Sequence, residues 1–93
     1  LKPQRVVLRT FGVSTEYMRS LPLHHTQQEI ATNGDEYSDF EYLLNITPEL
    51  TGKLLSKGDW VEVLEPKSLR DEIRSKVEAM TDIYKKRRLF GII

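Results

Sequence analysis

His24 and His25 stand next to each other and are the only histidines in the chain. Imidazole is a common metal ligand and a general base near neutral pH. Neighbouring residues of an extended strand point to opposite faces, so in a strand the two rings could not grip one metal ion together. The chain also has no cysteine to complete a ligand set or to act as a thiolate nucleophile. We therefore expect neither a metal site nor a cofactor.

A catalytic triad could be assembled from Ser14, His24 and Asp39 as nucleophile, base and orienting acid. No spacing favours these three over the other hydroxyl and acidic residues, so no catalytic residue is assigned and no enzyme is expected. A small hydrolase of the acylphosphatase type is an alternative. Such enzymes carry a glycine-bounded phosphate loop that ends in arginine after the first strand, whereas here Arg19 comes only after a predicted helix.

Three aromatic residues, Tyr37, Phe40 and Tyr42, fall on or near one predicted strand, as they do in the RNA-recognition motif that stacks single-stranded bases. RNA binding of this type is a further alternative. Acidic neighbours such as Asp39 and Glu41 would repel phosphates, and the basic, glycine-containing signature of that motif is missing. The alternation of Phe40 and Tyr42 with charged residues favours a place in the core.

Composition indicates one soluble domain without a field that attracts nucleic acid. The chain has 93 residues, 39% of them hydrophobic, and its 14 basic residues balance its 14 acidic ones. No apolar run approaches the roughly 20 residues that a membrane helix needs. The chain begins at Leu1-Lys2-Pro3 without methionine or a secretory leader, so we expect a cytoplasmic fragment of a longer protein.

The first half of the chain predicts a strand, a short helix and a hairpin. Residues 6–11 are rich in β-branched and apolar side chains, and Ser14 offers a cap for a helix that Pro22 ends. Asn33-Gly34 is a tight-turn pair. It would join a strand over 26–32 to a strand whose inner residues alternate with polar ones. The inner residues are Phe40, Tyr42, Leu44 and Ile46.

The second half predicts a helix, a strand and a longer helix. Thr47-Pro48-Glu49 is a helix start, and Gly58 is suited to end that helix. Residues 60–65 predict a strand with Trp60 and Leu64 on the face opposite the core, and Pro66 ends its ladder. Ser68 is the predicted cap of the last helix. Its apolar stripe consists of Leu69, Ile73, Val77, Met80 and Tyr84.

This order of elements predicts an α+β fold of the ferredoxin-like βαββαβ type. In that sandwich a four-stranded antiparallel sheet has two helices on one face, and here an additional C-terminal helix follows. The domain is expected over residues 1–84, with a basic and then apolar tail over 85–93. The four cations of residues 85–88 suit a solvated helix end.

Two segments resemble one known family. Residues 21–30, L-P-L-H-H-T-Q-Q-E-I, and residues 58–73, G-D-W-V-E-V-L-E-P-K-S-L-R-D-E-I, are similar to the WCX domain. That domain is the C-terminal extension of WYL-domain transcriptional regulators in bacteria. The opening strand fits as well, so the resemblance covers about residues 3–85. Thr26 stands where the family often has serine, and the style of the hairpin suggests the Bacteroidetes type.

The resemblance implies a regulator with an N-terminal helix-turn-helix that binds DNA, a ligand-sensing WYL domain and this module at the end. The expected partners are the WYL domain of the same chain and a second copy in a homodimer. DNA would be bound only through the N-terminal domain, which this fragment lacks, and no membrane is involved. The module would regulate and dimerise, contributing to the effector response.

Two sets of residues are candidates for these contacts. Arg9, His24 and Gln27 are the candidate ligand-binding residues, chosen for their polar type and, for the last two, for the motif. We expect the face of the sheet that carries no helices to be apolar and therefore to need a cover. The candidate interface residues lie on that face and on the last helix: Leu43, Trp60, Leu64, Ile73, Val77, Met80 and Tyr84.

Overall fold

The computed structural model describes residues 2–89, which form an antiparallel sheet and three helices. The strands are β1 (Gln4–Phe11), β2 (Gln28–Asn33), β3 (Tyr37–Leu44) and β4 (Val61–Glu65), and the helices are α1 (Val13–Ser20), α2 (Pro48–Ser56) and α3 (Lys67–Leu89). The strand order is β2-β3-β1-β4, with every neighbouring pair antiparallel. The predicted α+β class and four-stranded antiparallel sheet are confirmed.

One face of the sheet carries the core, and all three helices contribute to it. In the centre of the sheet Leu8 is paired with Phe40 on one side and Val63 on the other, and all three are buried. The helices add Met18, Leu50, Leu54 and Leu69 to the same cluster. The predicted burial of Phe40 and Tyr42 is thus confirmed, because their alternation with polar residues turns them to the helical side.

The hairpin and α2 form as their local sequences predict. Gly34 has a φ of 56° in the turn between β2 and β3, a value that glycine adopts without strain. At the start of α2 the side chain of Thr47 accepts a hydrogen bond from the amide of Leu50, and Pro48 is the first helical residue. Gly58, with a φ of 61°, follows the end of this helix.

Two predicted helix caps are wrong. Gly12, not Ser14, precedes α1, and the Ser14 hydroxyl instead bonds to the backbone of Phe11 and donates to the carbonyl of Trp60 at 3.1 Å. Ser14 thereby joins the end of β1 to the start of β4. Ser68 is likewise not a cap, because α3 already begins at Lys67, directly after Pro66.

Helix α3 is much longer than the body of the domain on which it lies. Its first turn is anchored by the fully buried Leu69, and Ile73 packs on the edge of the core. From Arg74 through Lys86 every residue is exposed. The helix continues to Leu89, slightly past the predicted end, while residues 90–93 of the predicted apolar tail lie outside the described residues.

Candidate functional site

The sheet face opposite the helices carries ion pairs and is more polar than predicted, and the need for a cover stays a prediction. Arg5 lies between Glu41 and Glu65, at 2.5 Å and 2.9 Å. Four residues along β1, Arg9 binds Asp39 through two hydrogen bonds of 2.7 Å and 3.0 Å. Alternate residues of adjacent strands share a face, and here most of those residues are charged. Such a surface is compatible with water.

Two candidate interface residues on β3 and β4 do lie on or beside this face. Leu43 pairs with Arg5 and is 56% exposed, while Leu64 is half-buried. The buried Val7 lies on the same face, between Arg5 and Arg9. Their assignment to an interface stays a prediction, but single exposed apolar residues are normal on a soluble protein.

Trp60 was predicted to lie on β4 and on the open face of the sheet, and it lies on neither. It ends a 3₁₀ turn, Gly58–Trp60, and its indole stacks on the ring of Tyr17 in α1, with ring centroids 5.1 Å apart. The turn reorients the chain before β4 begins at Val61, which moves the side chain to the helical side. Trp60 stays 43% exposed in this stack, and its assignment to an interface stays a prediction.

The Arg9–Asp39 pair is the least exposed ion pair of the open face and yields a stability prediction. The side chains are 29% and 11% exposed, and the Arg9 guanidinium also lies 3.8 Å from the ring centroid of Tyr37. We expect Asp39→Ala to lower the free energy of unfolding by about 1–2 kcal/mol, because it removes two charge-assisted bonds and leaves a partly desolvated guanidinium. Urea unfolding measures the loss.

The matched control for Asp39→Ala is Asp71→Ala, which breaks an exposed pair with Lys67 within one helix. Exposed pairs of this kind contribute little to stability, so the loss in Asp71→Ala should be the smaller of the two. Equal losses in the two variants would show that the Arg9–Asp39 pair is no stronger than an ordinary surface pair. Asp39→Ala should not alter self-association if the open face stays in water.

The three candidate ligand-binding residues are not gathered at one place. Arg9 lies on the open face, whereas Gln27 reaches towards the helical side, where its amide nitrogen donates to the carbonyl of Met18 at 2.8 Å. His24 bonds through Nδ1 to the hydroxyl of Thr26 at 2.7 Å. It borders a cleft of about 380 Å³ beside α2, together with Leu44. A shared pocket for all three residues is not formed.

Gln27 instead holds the loop before β2 onto the core. Its Oε1 accepts from the buried Tyr42 hydroxyl at 2.6 Å and from the amide of Leu23 at 3.0 Å. These two bonds and the one to Met18 connect three segments of the chain. The residue was selected for its motif, and the observed contacts give it a structural role.

Burial raises the pKa of the Tyr42 phenol above its ordinary value of 10.0. The folded protein therefore keeps the proton at a pH at which the unfolded chain has lost it. Stability linked to this group is complete below about pH 10 and is lost as the pH rises towards the higher folded pKa. We expect Tyr42→Phe to weaken the fall in stability above about pH 10, measured by urea unfolding at a series of pH values.

Tyr84→Phe is the control for this pH series, since Tyr84 is 71% exposed. Tyr84→Phe should leave the fall in stability above about pH 10 unchanged. If Tyr42→Phe loses stability above pH 10 as steeply as the unchanged protein, ionisation of Tyr42 is not the cause.

Each side chain that was considered for catalysis forms hydrogen bonds or ion pairs with other residues of the domain. Ser14 is bonded to the backbone of Phe11 and Trp60, Asp39 to Arg9, and His24 to Thr26. Arg19, the arginine that a phosphate-binding loop would need, is bound to both oxygens of Glu29 and to Glu16. These contacts, the hydrogen bonds first, raise the pKa of Arg19 and lower that of Glu29.

The histidine pair departs from the expectation made for a strand. His24 and His25 lie in a turn, and their rings are neighbours with centroids 4.3 Å apart. Within residues 2–89, no group of three histidine or acidic side chains is arranged to hold a metal ion.

Four large apolar side chains are exposed on the outer half of α3. Val77, Met80, Ile83 and Tyr84 are 48%, 49%, 54% and 71% exposed. We call these four residues the α3 stripe. Ile83 is not among the predicted interface residues, although its position three residues after Met80 puts it next to the predicted stripe. Exposed apolar residues that adjoin along one helix are typical of a protein contact.

A groove lies between α2 and α3, on the N-terminal side of the α3 stripe. It has a volume of about 380 Å³, and its apolar lining includes Ile46, Pro48 and Leu55. At its rim the Glu72 carboxylate accepts a hydrogen bond from the Thr51 hydroxyl at 3.1 Å. The groove and the stripe share one helix, so a single partner could contact both.

Comparison with family models identifies the family of this chain. The family model of the WCX domain matches residues 2–81, which includes the whole sheet, α1, α2 and about the first two thirds of α3. None of the curated proteins compared with the chain matches it. No helix within residues 2–89 combines the length and apolar character needed to cross a membrane. Since the match covers most of the chain, this protein belongs to the WCX domain family.

Proposed function

We propose that this WCX domain is the C-terminal regulatory and dimerisation module of a WYL-domain transcriptional regulator. WCX domains are associated with WYL-domain regulators, which supports a regulatory role. The docking part of the proposal is supported by the α3 stripe. Its four large apolar side chains lie where the helix extends beyond the core of the domain. The module would contribute to the effector response by coupling its neighbours.

In this proposal DNA is bound by another domain of the parent protein. The equal numbers of basic and acidic residues support that division, because a neutral domain gains little from counterion release. The ferredoxin-like assignment belongs to the same proposal. It is supported by the order β2-β3-β1-β4 and by α1 and α2, which follow β1 and β3 and pack on one face.

Size-exclusion chromatography with light scattering on this chain, with and without a WYL domain added, tests the proposal. We expect Met80→Glu to abolish or strongly weaken the association, because a carboxylate would be buried in an apolar contact. Leu43→Glu is the matched control, an equally exposed apolar residue on the charged face, and should have no effect.

A chain that stays monomeric at high concentration and does not bind a WYL domain would contradict the proposal. A contact disrupted by Leu43→Glu and not by Met80→Glu would move the docking surface to the open face of the sheet. The acylphosphatase and RNA-binding alternatives have no comparable observation in their favour.

A further inference from the structure

The exposed part of α3 is long enough to form a contact of its own. Residues 74–86 are all exposed, and at 1.5 Å per residue they span about 20 Å of helix. Val77, Met80 and Tyr84 follow one another at spacings of three and four, the repeat that places side chains along the seam of two paired helices. Ile83 borders this seam on one side.

We propose that this segment pairs antiparallel with the same segment of a second copy, so that the end of each α3 reaches the groove between α2 and α3 of the other. The inference rests on the proposed dimerisation and specifies its geometry. Such a dimer has a two-fold axis near Met80, and each copy contributes the same surface.

Charge decides between antiparallel and parallel pairing. Residues 85–88 carry four positive charges, and no acidic residue follows Asp82 in the sequence. Axes of packed helices lie about 8–10 Å apart, close to the screening length at physiological salt, so a parallel pair would hold two clusters of four cations within repulsive range. An antiparallel pair separates the clusters and aligns the helix dipoles favourably.

The antiparallel arrangement also brings these cations to acidic residues. With Met80 at the axis, Tyr84 of one copy lies at the level of Lys76 of the other, and Arg88 lies at the level of Glu72. Glu72 lines the groove, so its carboxylate lies near the basic end of the second helix, and Lys76 lines the same groove.

The buried area requires that the groove take part. A stable interface buries about 800 Å² on each partner, which four half-exposed side chains do not supply. The groove adds the apolar surface of Ile46, Pro48 and Leu55 at the level to which the second helix extends. A side chain built on Gly52 would meet nothing within 4 Å, so the backbone of α2 is open to a close approach there.

Spin labels on single cysteines test the orientation, and the absence of native cysteine makes the labelling specific. The two variants are Thr81→Cys, beside the proposed axis, and Ser68→Cys, in the first turn of α3; both positions are exposed. Antiparallel pairing predicts a label-to-label distance that is about 20–30 Å longer at position 68 than at 81. Parallel pairing predicts similar distances at both positions, and that result would overturn the inference.

The salt dependence of association gives a second readout. The antiparallel pair should dissociate more readily as salt increases, by roughly threefold or more in Kd between low and physiological salt, whereas screening would strengthen a parallel pair. A dimer with similar label distances would overturn the antiparallel geometry and leave the proposed dimerisation standing. A chain that is monomeric in every condition would overturn both.

Discussion

Gln27→Ala is expected to lower the free energy of unfolding by about 2–4 kcal/mol. The change removes the acceptor of the Tyr42 hydroxyl, which is buried in the core, and the partners of one backbone amide and one backbone carbonyl. A buried hydroxyl without a partner costs about 1–3 kcal/mol, and the loop between α1 and β2 would lose its attachment as well. Urea or thermal unfolding followed by circular dichroism measures the loss.

The neighbouring residue provides the control for this prediction. Gln28→Ala makes the same chemical change at an exposed position of β2 and should alter stability by less than about 0.5 kcal/mol. Gln27→Glu should fall between the two, because it keeps the two acceptor bonds and loses the donor bond to Met18. If Gln27→Ala and Gln28→Ala are equally mild, the attachment of this loop does not depend on the Gln27 amide.

Leu69→Ala is the second change with a large expected effect, a loss of about 2–5 kcal/mol. Leu69 is the residue of α3 that lies fully within the core, in contact with the cluster formed by the sheet and the other helices. Its removal leaves a cavity at the only point where the helix is deeply anchored within the described part of the chain. Urea unfolding measures the change, and circular dichroism shows whether α3 stays helical.

Val77→Ala, two turns further along the same helix, is the matched control. Val77 is 48% exposed, so in the isolated domain its truncation should change stability by less than about 1 kcal/mol. For self-association we expect the opposite order: among folded chains, Val77→Ala should weaken the dimer more than Leu69→Ala does. A Val77→Ala loss as large as that of Leu69→Ala would mean that the stripe packs within its own domain.

Elements governed by neighbouring residues could be predicted well. Pro48 and Thr47 set the start of α2 through bonds that span a single turn, and the Asn33-Gly34 turn fixes the hairpin. Alternation along β3 identified Phe40 and Tyr42 as core residues, because the direction of a strand side chain repeats every two residues. The start of α1 was less predictable, because Gly12 and Ser14 are both residues that can precede a helix.

The candidate site depended on contacts between distant parts of the chain. The predicted stripe of α3 is a correct helical pattern, yet the pattern does not say where the core ends beneath it. That limit is set by the size of the sheet and of α2, which cover Leu69 and Ile73 and leave Met80 in water. Only the packed structure therefore separates the anchoring residues from the exposed stripe.

By itself the sequence determined the α+β class, the core face of the sheet and the WCX family, because these follow from local periodicity and from a shared motif. The tertiary structure decided that the open face is a set of ion pairs, since an arginine on one strand reveals nothing about which acid lies opposite until the register is set. It also decided the roles of Gln27 and Trp60, whose partners lie in segments brought together only by folding.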